Sequence, residues 1–135
     1  MEMPHDALRA RIERAVEELG HRREPERAFE FRRFTGITIP VTRLTPVELA
    51  SLGGARGGDV QELTLEELLV RHVERTDIAV GGLSPRCEAL RDAIHASLDD
   101  VRVVRHGSTE VRCFVLGNDP ATGEIAGLEA RVGGS

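Results

Sequence analysis

Two apolar runs near the end of the chain, separated by a turn, constrain the fold more than any other stretch. Residues 111–117 read Val-Arg-Cys-Phe-Val-Leu-Gly, and residues 124–132 read Glu-Ile-Ala-Gly-Leu-Glu-Ala-Arg-Val. The six residues between them, Asn-Asp-Pro-Ala-Thr-Gly, are rich in turn formers. This pattern predicts a β-hairpin. Because apolarity is nearly unbroken over residues 114–116, we expect a strand that is covered on both faces, with helices above and below the sheet.

Four stretches have the apolar spacing of helices. They cover residues 6–19, 45–52, 64–73 and 84–98. Thr45 and Thr64 each stand three residues before a glutamate, which is the pattern of a capping box, and Pro85 occupies the first position of the last helix. His72 lies on or near the apolar stripe of the third helix, so we interpret it as a packed, hydrogen-bonded histidine rather than a catalytic one.

The remaining apolar segments predict the rest of the sheet. Residues 29–41 alternate around Gly36 and indicate two short strands or one bent strand, and residues 101–105 indicate another. The glycine-rich run 53–58 is interpreted as a surface loop. With the hairpin, these segments predict an α/β (α+β) fold with a four- or five-stranded, largely antiparallel sheet in a single domain over residues 1–135.

Composition and motifs exclude several classes of function. The net charge of -5 argues against a nucleic-acid binder, and no run approaches a membrane span of about 20 apolar residues. No secretory signal opens the chain, which favours the cytoplasm. The chain lacks a P-loop and a His-Glu-x-x-His motif, and its five histidines are scattered singly. Cys87 and Cys113 are expected to be buried thiols without metal spacing. We therefore expect no enzymatic activity, no cofactor and no metal of the chain's own.

The order of these elements resembles one known family. Phe114-Val115-Leu116-Gly117, a Pro-and-Gly loop and Ile125-Ala126-Gly127-Leu128 look like the nuclease A inhibitor (NuiA-like) family, and the preceding helix and strands agree in type and spacing. The resemblance implies a three-layer α/β/α sandwich. It also implies a protein that blocks the active site of a sugar-non-specific, magnesium-dependent nuclease of the ββα-metal type.

The resemblance also implies three partner-binding residues, carried over by position. Ser135, as the terminal residue, would offer hydroxyl and carboxylate oxygens to the partner's magnesium ion or its waters. Glu24, five residues before Phe29, would pair with an arginine in the nuclease site. Asp77 would be a second acidic contact, although Ile78 stands where the family has an aromatic residue.

Two other functions remain open from the residues alone. The first is a non-catalytic adaptor or small-ligand-binding module of the same fold, acting through the apolar loop 78–83 without a nuclease partner. The second is a small enzyme whose site gathers residues that are distant in sequence. A pocket containing at least two histidines or carboxylates would favour the enzyme.

Overall fold

The computed structural model describes residues 6–17, 29–55, 59–72, 85–107 and 111–132. Four helices and five strands lie in these ranges. The helices are α1 (Ala7–Glu17), α2 (Pro46–Leu52), α3 (Leu65–His72) and α4 (Pro85–Ser97), and one 3-10 turn covers Val41–Arg43. The strands are β1 (Phe29–Phe34), β2 (Val60–Leu63), β3 (Asp99–His106), β4 (Val111–Asn118) and β5 (Ile125–Val132).

The strands form one antiparallel sheet in the order β1-β5-β4-β3-β2. The predicted hairpin is confirmed: β4 and β5 pair from Asn118 opposite Ile125 to Val111 opposite Val132. The α+β class and the antiparallel sheet are confirmed as well. The sequence predicted four or five strands, and the sheet has five.

One strand assignment from the sequence was wrong, and one strand was missed. Residues 37–40 lie outside any strand, because Gly36 turns the chain with φ +84° and Pro40 cannot donate to a ladder. Ile37 still accepts a hydrogen bond of 2.9 Å from the backbone N–H of Ile125. The fifth strand is instead β2, whose four residues, Val-Gln-Glu-Leu, are too few and too polar to show a clear period.

One face of the sheet packs against three helices. Ile12 of α1, Leu68 of α3 and Leu90 of α4 share a buried cluster with Val115 of β4. Both cysteines are buried in this cluster as thiols, as the sequence predicts. Burial raises the pKa of Cys113 to about 12, so this thiol stays protonated at neutral pH.

The other face packs against shorter elements. Val41 of the 3-10 turn and Leu49 of α2 lie in a second cluster with Phe114 and Leu116 of β4. Because Phe114 and Val115 point to opposite faces and both are buried, the predicted burial of β4 on two sides is confirmed. The complete three-layer sandwich stays a prediction.

Both capping boxes are present. In α2, the Thr45 hydroxyl accepts from the Glu48 backbone N–H at 3.1 Å, and the Glu48 carboxylate accepts from the Thr45 N–H at 2.8 Å. Thr64 and Glu67 make the same pair of bonds at 3.0 and 2.8 Å at the start of α3. These bonds satisfy N–H groups that the first turn of a helix leaves unpaired.

Candidate protein interface

Strand pairing brings several chain ends together at one end of the sheet. Phe29 pairs with Ala130, so β1 begins beside the place where β5 ends. Val111, the first residue of β4, pairs with Val132. We call this end of the sheet, bordered by Phe29, Val111 and Val132, the loop end.

Two helices also run between the loop end and the opposite end. Asp6, just before α1, contacts Arg33 near the far end of β1, so α1 begins at the opposite end and runs toward the loop end. Leu98 alone separates α4 from β3, and the buried side of α4 packs on the sheet. Therefore α4 runs antiparallel to β3, and its first residue, Pro85, lies toward the loop end.

The three predicted binding residues fall outside the described ranges. Glu24 belongs to residues 18–28, Asp77 to residues 73–84 and Ser135 to residues 133–135. Their roles stay predictions. The described residues that border the segments of Glu24 and Ser135 on the sheet, Phe29 and Val132, both lie at the loop end.

Charged side chains cross-link the opposite end of the sheet. Arg33 contacts Asp6 at 2.8 Å, Asp119 at 3.0 Å and Glu124 at 3.0 Å. The hydrogen bonds from Arg33 lower the pKa of Asp6, and the pKa of Arg33 is raised by the same contacts. Glu124 also accepts from the backbone N–H of Gly36 at 2.9 Å. These bonds tie α1, β1 and the β4–β5 turn together, which is a structural role.

A second ion cluster lies on the sheet face that carries α2, toward the loop end. Glu129 of β5 is buried and contacts Arg32, Arg112 at 2.9 Å and Arg131 at 3.4 Å. Arg112 also donates to the Gly53 carbonyl at 2.5 Å and lies over the Phe114 ring at 5.0 Å. We call Glu129 with its three arginines the Glu129 cluster.

The electrostatics of this cluster keep its carboxylate ionised. Burial by itself raises the pKa of Glu129, but the hydrogen bond and charge of Arg112, helped by Arg32 and Arg131, lower it below the ordinary value. The sequence analysis missed the cluster because Glu129 stands inside an apolar run. The signal that could have revealed it is one acid near two arginines on paired strands, Arg112 and Arg131, once the hairpin register is known.

Two observations on the described residues concern the enzyme alternative. None of the histidines, cysteines and carboxylates in the described ranges form a group of three that could hold a metal ion. A groove of about 620 Å³ between α1 and α4 is lined by Ala10, Arg11, Arg14, Ala15, Ala93, Ala96 and Ser97. This lining contains neither a histidine nor a carboxylate. Within the same ranges, no helix has the length and apolarity needed to cross a membrane.

A comparison with known protein families places the chain. The family model described as nuclease A inhibitor-like protein matches residues 6–132. The chain belongs to the nuclease A inhibitor-like family. The match confirms the resemblance seen in the sequence and covers every described element of the structure. No curated protein matches the chain. Membership of this inhibitor-like family suggests a protein partner and a non-enzymatic role.

Proposed function

We propose that this protein binds a sugar-non-specific, magnesium-dependent nuclease of the ββα-metal type and blocks its active site. Membership of the nuclease A inhibitor-like family supports a nuclease partner. The single observation that supports a shared binding site is the pairing of Phe29 with Ala130. This pairing brings the start of β1, which follows Glu24 in the chain, beside the end of β5, which precedes Ser135.

Chain length is compatible with a shared contact region. Glu24 precedes Phe29 by five residues, and Ser135 follows Val132 by three. At roughly 3.5 Å per extended residue, these segments reach at most about 17 and 10 Å from the sheet. Both residues can therefore enter one cleft in a partner, provided that each segment extends in the same direction.

Each proposed contact uses a different property of the acidic groups. The Glu24 carboxylate accepts a bidentate bond from an arginine that otherwise holds substrate phosphate. In the 135-residue chain, Ser135 presents a hydroxyl and an α-carboxylate, which are oxygen ligands suited to the partner's magnesium ion or its waters. Asp77 adds a second acidic contact. The net charge of -5 favours approach to a basic cleft.

Titration of a purified ββα-metal nuclease with the 135-residue protein tests the proposal. We expect saturable loss of DNA and RNA cleavage, and we expect removal of residues 133–135 to raise the inhibition constant at least about tenfold. Thermal stability should remain unchanged, because the strand pairing ends at Val132.

The control is Asp99→Asn, which neutralises an exposed acid at the opposite end of the sheet and should leave inhibition unchanged. Full inhibition by the truncated protein would contradict the proposed contact of Ser135 with the nuclease. Failure to inhibit a ββα-metal nuclease from the same cell would contradict the nuclease proposal and favour the adaptor alternative.

A further inference from the structure

Two large apolar side chains lie exposed on the stretch that leads from β1 into α2. Ile39 is 49% exposed and Val47 is 58% exposed. Both belong to residues 35–48, which we call the Ile39 segment. Because isolated exposed apolar residues are ordinary on a protein surface, the surroundings of these two side chains decide what they indicate.

Hydrogen bonds fix the backbone of the Ile39 segment, although most of it lies outside the helices and the sheet. The Asn118 side-chain amide donates to the Ile39 carbonyl at 3.1 Å and accepts from the Val41 backbone N–H at 2.9 Å. The Arg102 guanidinium donates to the Val41 carbonyl at 2.7 Å and to the Leu44 carbonyl. Because the backbone around Ile39 is already ordered, little conformational entropy is lost when a partner covers this side chain.

The same bonds place the segment at the end of the sheet opposite the loop end. Asn118 is the last residue of β4, and Arg102 of β3 is paired with Leu116, two residues earlier on β4. These two side chains hold the chain between Ile39 and the first turn of α2, which contains Val47. A contact through the Ile39 segment therefore leaves the loop end uninvolved.

The Ile39 segment carries few charges. Arg43 and Glu48 are its charged residues, and both are exposed, whereas 30% of the whole chain is charged. Four exposed threonines surround the two apolar side chains, namely Thr35, Thr38, Thr42 and Thr45. Since the chain has a net charge of -5, two copies repel each other except where the facing surfaces are neutral or complementary. One positive and one negative charge make the Ile39 segment neutral and complementary to itself.

We propose that two copies of this chain associate across a two-fold axis through the Ile39 segment. In such an isologous contact each surface patch is used twice. Ile39 and Val47 of both copies form the apolar centre, and Arg43 of each copy pairs with Glu48 of the other. The Glu48 carboxylate accepts from the Thr45 N–H at 2.8 Å, and a carboxylate has further acceptor sites for a guanidinium group.

The size of the segment limits the strength of this dimer. A stable interface buries roughly 800 Å² on each partner and involves about 20–30 residues of each. The Ile39 segment is shorter than that, and Val41 within it is fully buried in its own copy. We therefore expect a weak dimer, with a dissociation constant on the order of 100 μM.

Sedimentation velocity of the full 135-residue protein between about 10 μM and about 1 mM tests the proposal. We expect a reversible monomer–dimer equilibrium. Ile39→Asp should raise the dimer dissociation constant at least about tenfold, because it places a carboxylate in the apolar centre. Protein that stays monomeric at about 1 mM, or equal dissociation constants for Ile39→Asp and the wild type, would overturn the proposal.

Ala89→Asp is the matched control for Ile39→Asp. It adds the same charge at an exposed position of α4, and α4 packs on the sheet face opposite the one that carries α2. This variant should dimerise like the wild type. A loss equal to that of Ile39→Asp would show that added negative charge weakens association wherever it is placed, and would remove the Ile39 segment from the contact.

Two charge reversals test the two-fold arrangement. Arg43→Glu places two carboxylates opposite each other across the axis, and Glu48→Arg places two guanidinium groups opposite each other, so each variant should dimerise more weakly than the wild type. An equal mixture of the two variants should form heterodimers, because each changed side chain then meets its opposite charge. A mixture that associates no more tightly than either variant alone would contradict the reciprocal pairs, and larger oligomers would indicate a head-to-tail contact instead.

Glu48→Arg also removes a capping bond of α2, so circular dichroism compares its helix content with that of the wild type. The comparison of Ile39→Asp with Ala89→Asp does not depend on this variant. The experiments use no nuclease, so their failure leaves the proposed inhibition untouched.

Discussion

At the scale of single residues, two charged side chains organise opposite ends of the sheet in opposite ways. Arg33 is a cation surrounded by three carboxylates, whereas Glu129 is an anion surrounded by three arginines. Glu129 is 2% exposed, so its charge depends on these partners for compensation. Removing one member of such a cluster lowers the stability of the fold by more than the intact cluster adds to it, because the remaining buried charges lose their compensation.

We therefore expect Glu129→Gln to lower the free energy of unfolding by about 2–3 kcal/mol. This loss is smaller than the loss caused by breaking a fully buried ion pair, because the arginines around Glu129 are partly exposed to water. Glu30→Gln is the control: it is directly opposite on the same face, but its side chain is exposed, so the change should stay within about 0.5 kcal/mol. Urea denaturation at pH 7 measures both. Equal losses for the two variants would show that burial of Glu129 has no energetic consequence.

The same carboxylate gives an acid-dependent contribution to stability. The pKa of Glu129 is lower in the folded protein than its ordinary value of 4.5. Its contribution is therefore complete above about pH 4.5 and is lost as the pH falls through the folded-state pKa. We expect the stability difference between the wild type and Glu129→Gln to shrink below pH 4.5 in denaturation curves measured from pH 7 to pH 3. A difference that grows on acidification would have the wrong sign for this group.

At the scale of elements, α2 is positioned by contacts at both of its ends. The Thr45 capping box fixes its first turn, and Gly53 follows its last residue against the ring of Phe114. A Cβ atom at Gly53 would lie 2.1 Å from Cε1 of Phe114, so only glycine allows this approach. Gly54 differs, since it has open space but a φ of +88°.

Gly53→Ala should destabilise the protein by about 1–3 kcal/mol through overpacking against Phe114. Backbone strain is not the cause, because the φ of -84° at Gly53 suits any residue. Gly54→Ala should cost about 1 kcal/mol for a different reason, the left-handed backbone. Combining each change with Phe114→Leu separates the two causes in denaturation experiments. The smaller side chain should relieve the cost at Gly53 and leave the cost at Gly54 unchanged. Absence of coupling between Gly53 and Phe114 would contradict the steric explanation.

At the scale of the whole molecule, the chain separates its structural and proposed binding regions. The end near Arg33 is closed by ion pairs among α1, β1 and the β4–β5 turn. The loop end receives the start of β1 and the end of β5 side by side. An inhibitor that uses acidic groups from two segments benefits when both segments start from the same end of the sheet. Each extra residue between the sheet and the acidic group increases the entropy lost when the segment is ordered on binding.

For the whole molecule we predict that Glu24→Gln weakens nuclease inhibition at least about tenfold at 50 mM salt, with a smaller effect at 500 mM salt. The reason is the loss of a charged partner for an arginine in the nuclease cleft. Glu13→Gln, in the middle of α1, is the matched control and should leave inhibition unchanged. Binding kinetics measured on immobilised nuclease check both variants. An equal effect of the two changes would point to general electrostatic attraction rather than a specific pair.

The sequence by itself determined the elements whose signals are local. Turn residues between apolar runs predicted the β4–β5 hairpin, and threonine–glutamate spacing predicted both capping boxes. The family was also predicted from the sequence, and the family model matches residues 6–132. These features depend on neighbours within a few positions, so a linear pattern records them.

Only the tertiary structure decided features that depend on pairing between distant segments. The short strand β2 forms because it pairs with β3 through backbone hydrogen bonds. Residues 37–40 follow the turn at Gly36 and do not form a strand. The Glu129 cluster forms because strand register places Arg112 and Arg131 beside one buried acid. Register is set by the whole sheet and its packed faces, and for that reason no local pattern in the sequence specifies it.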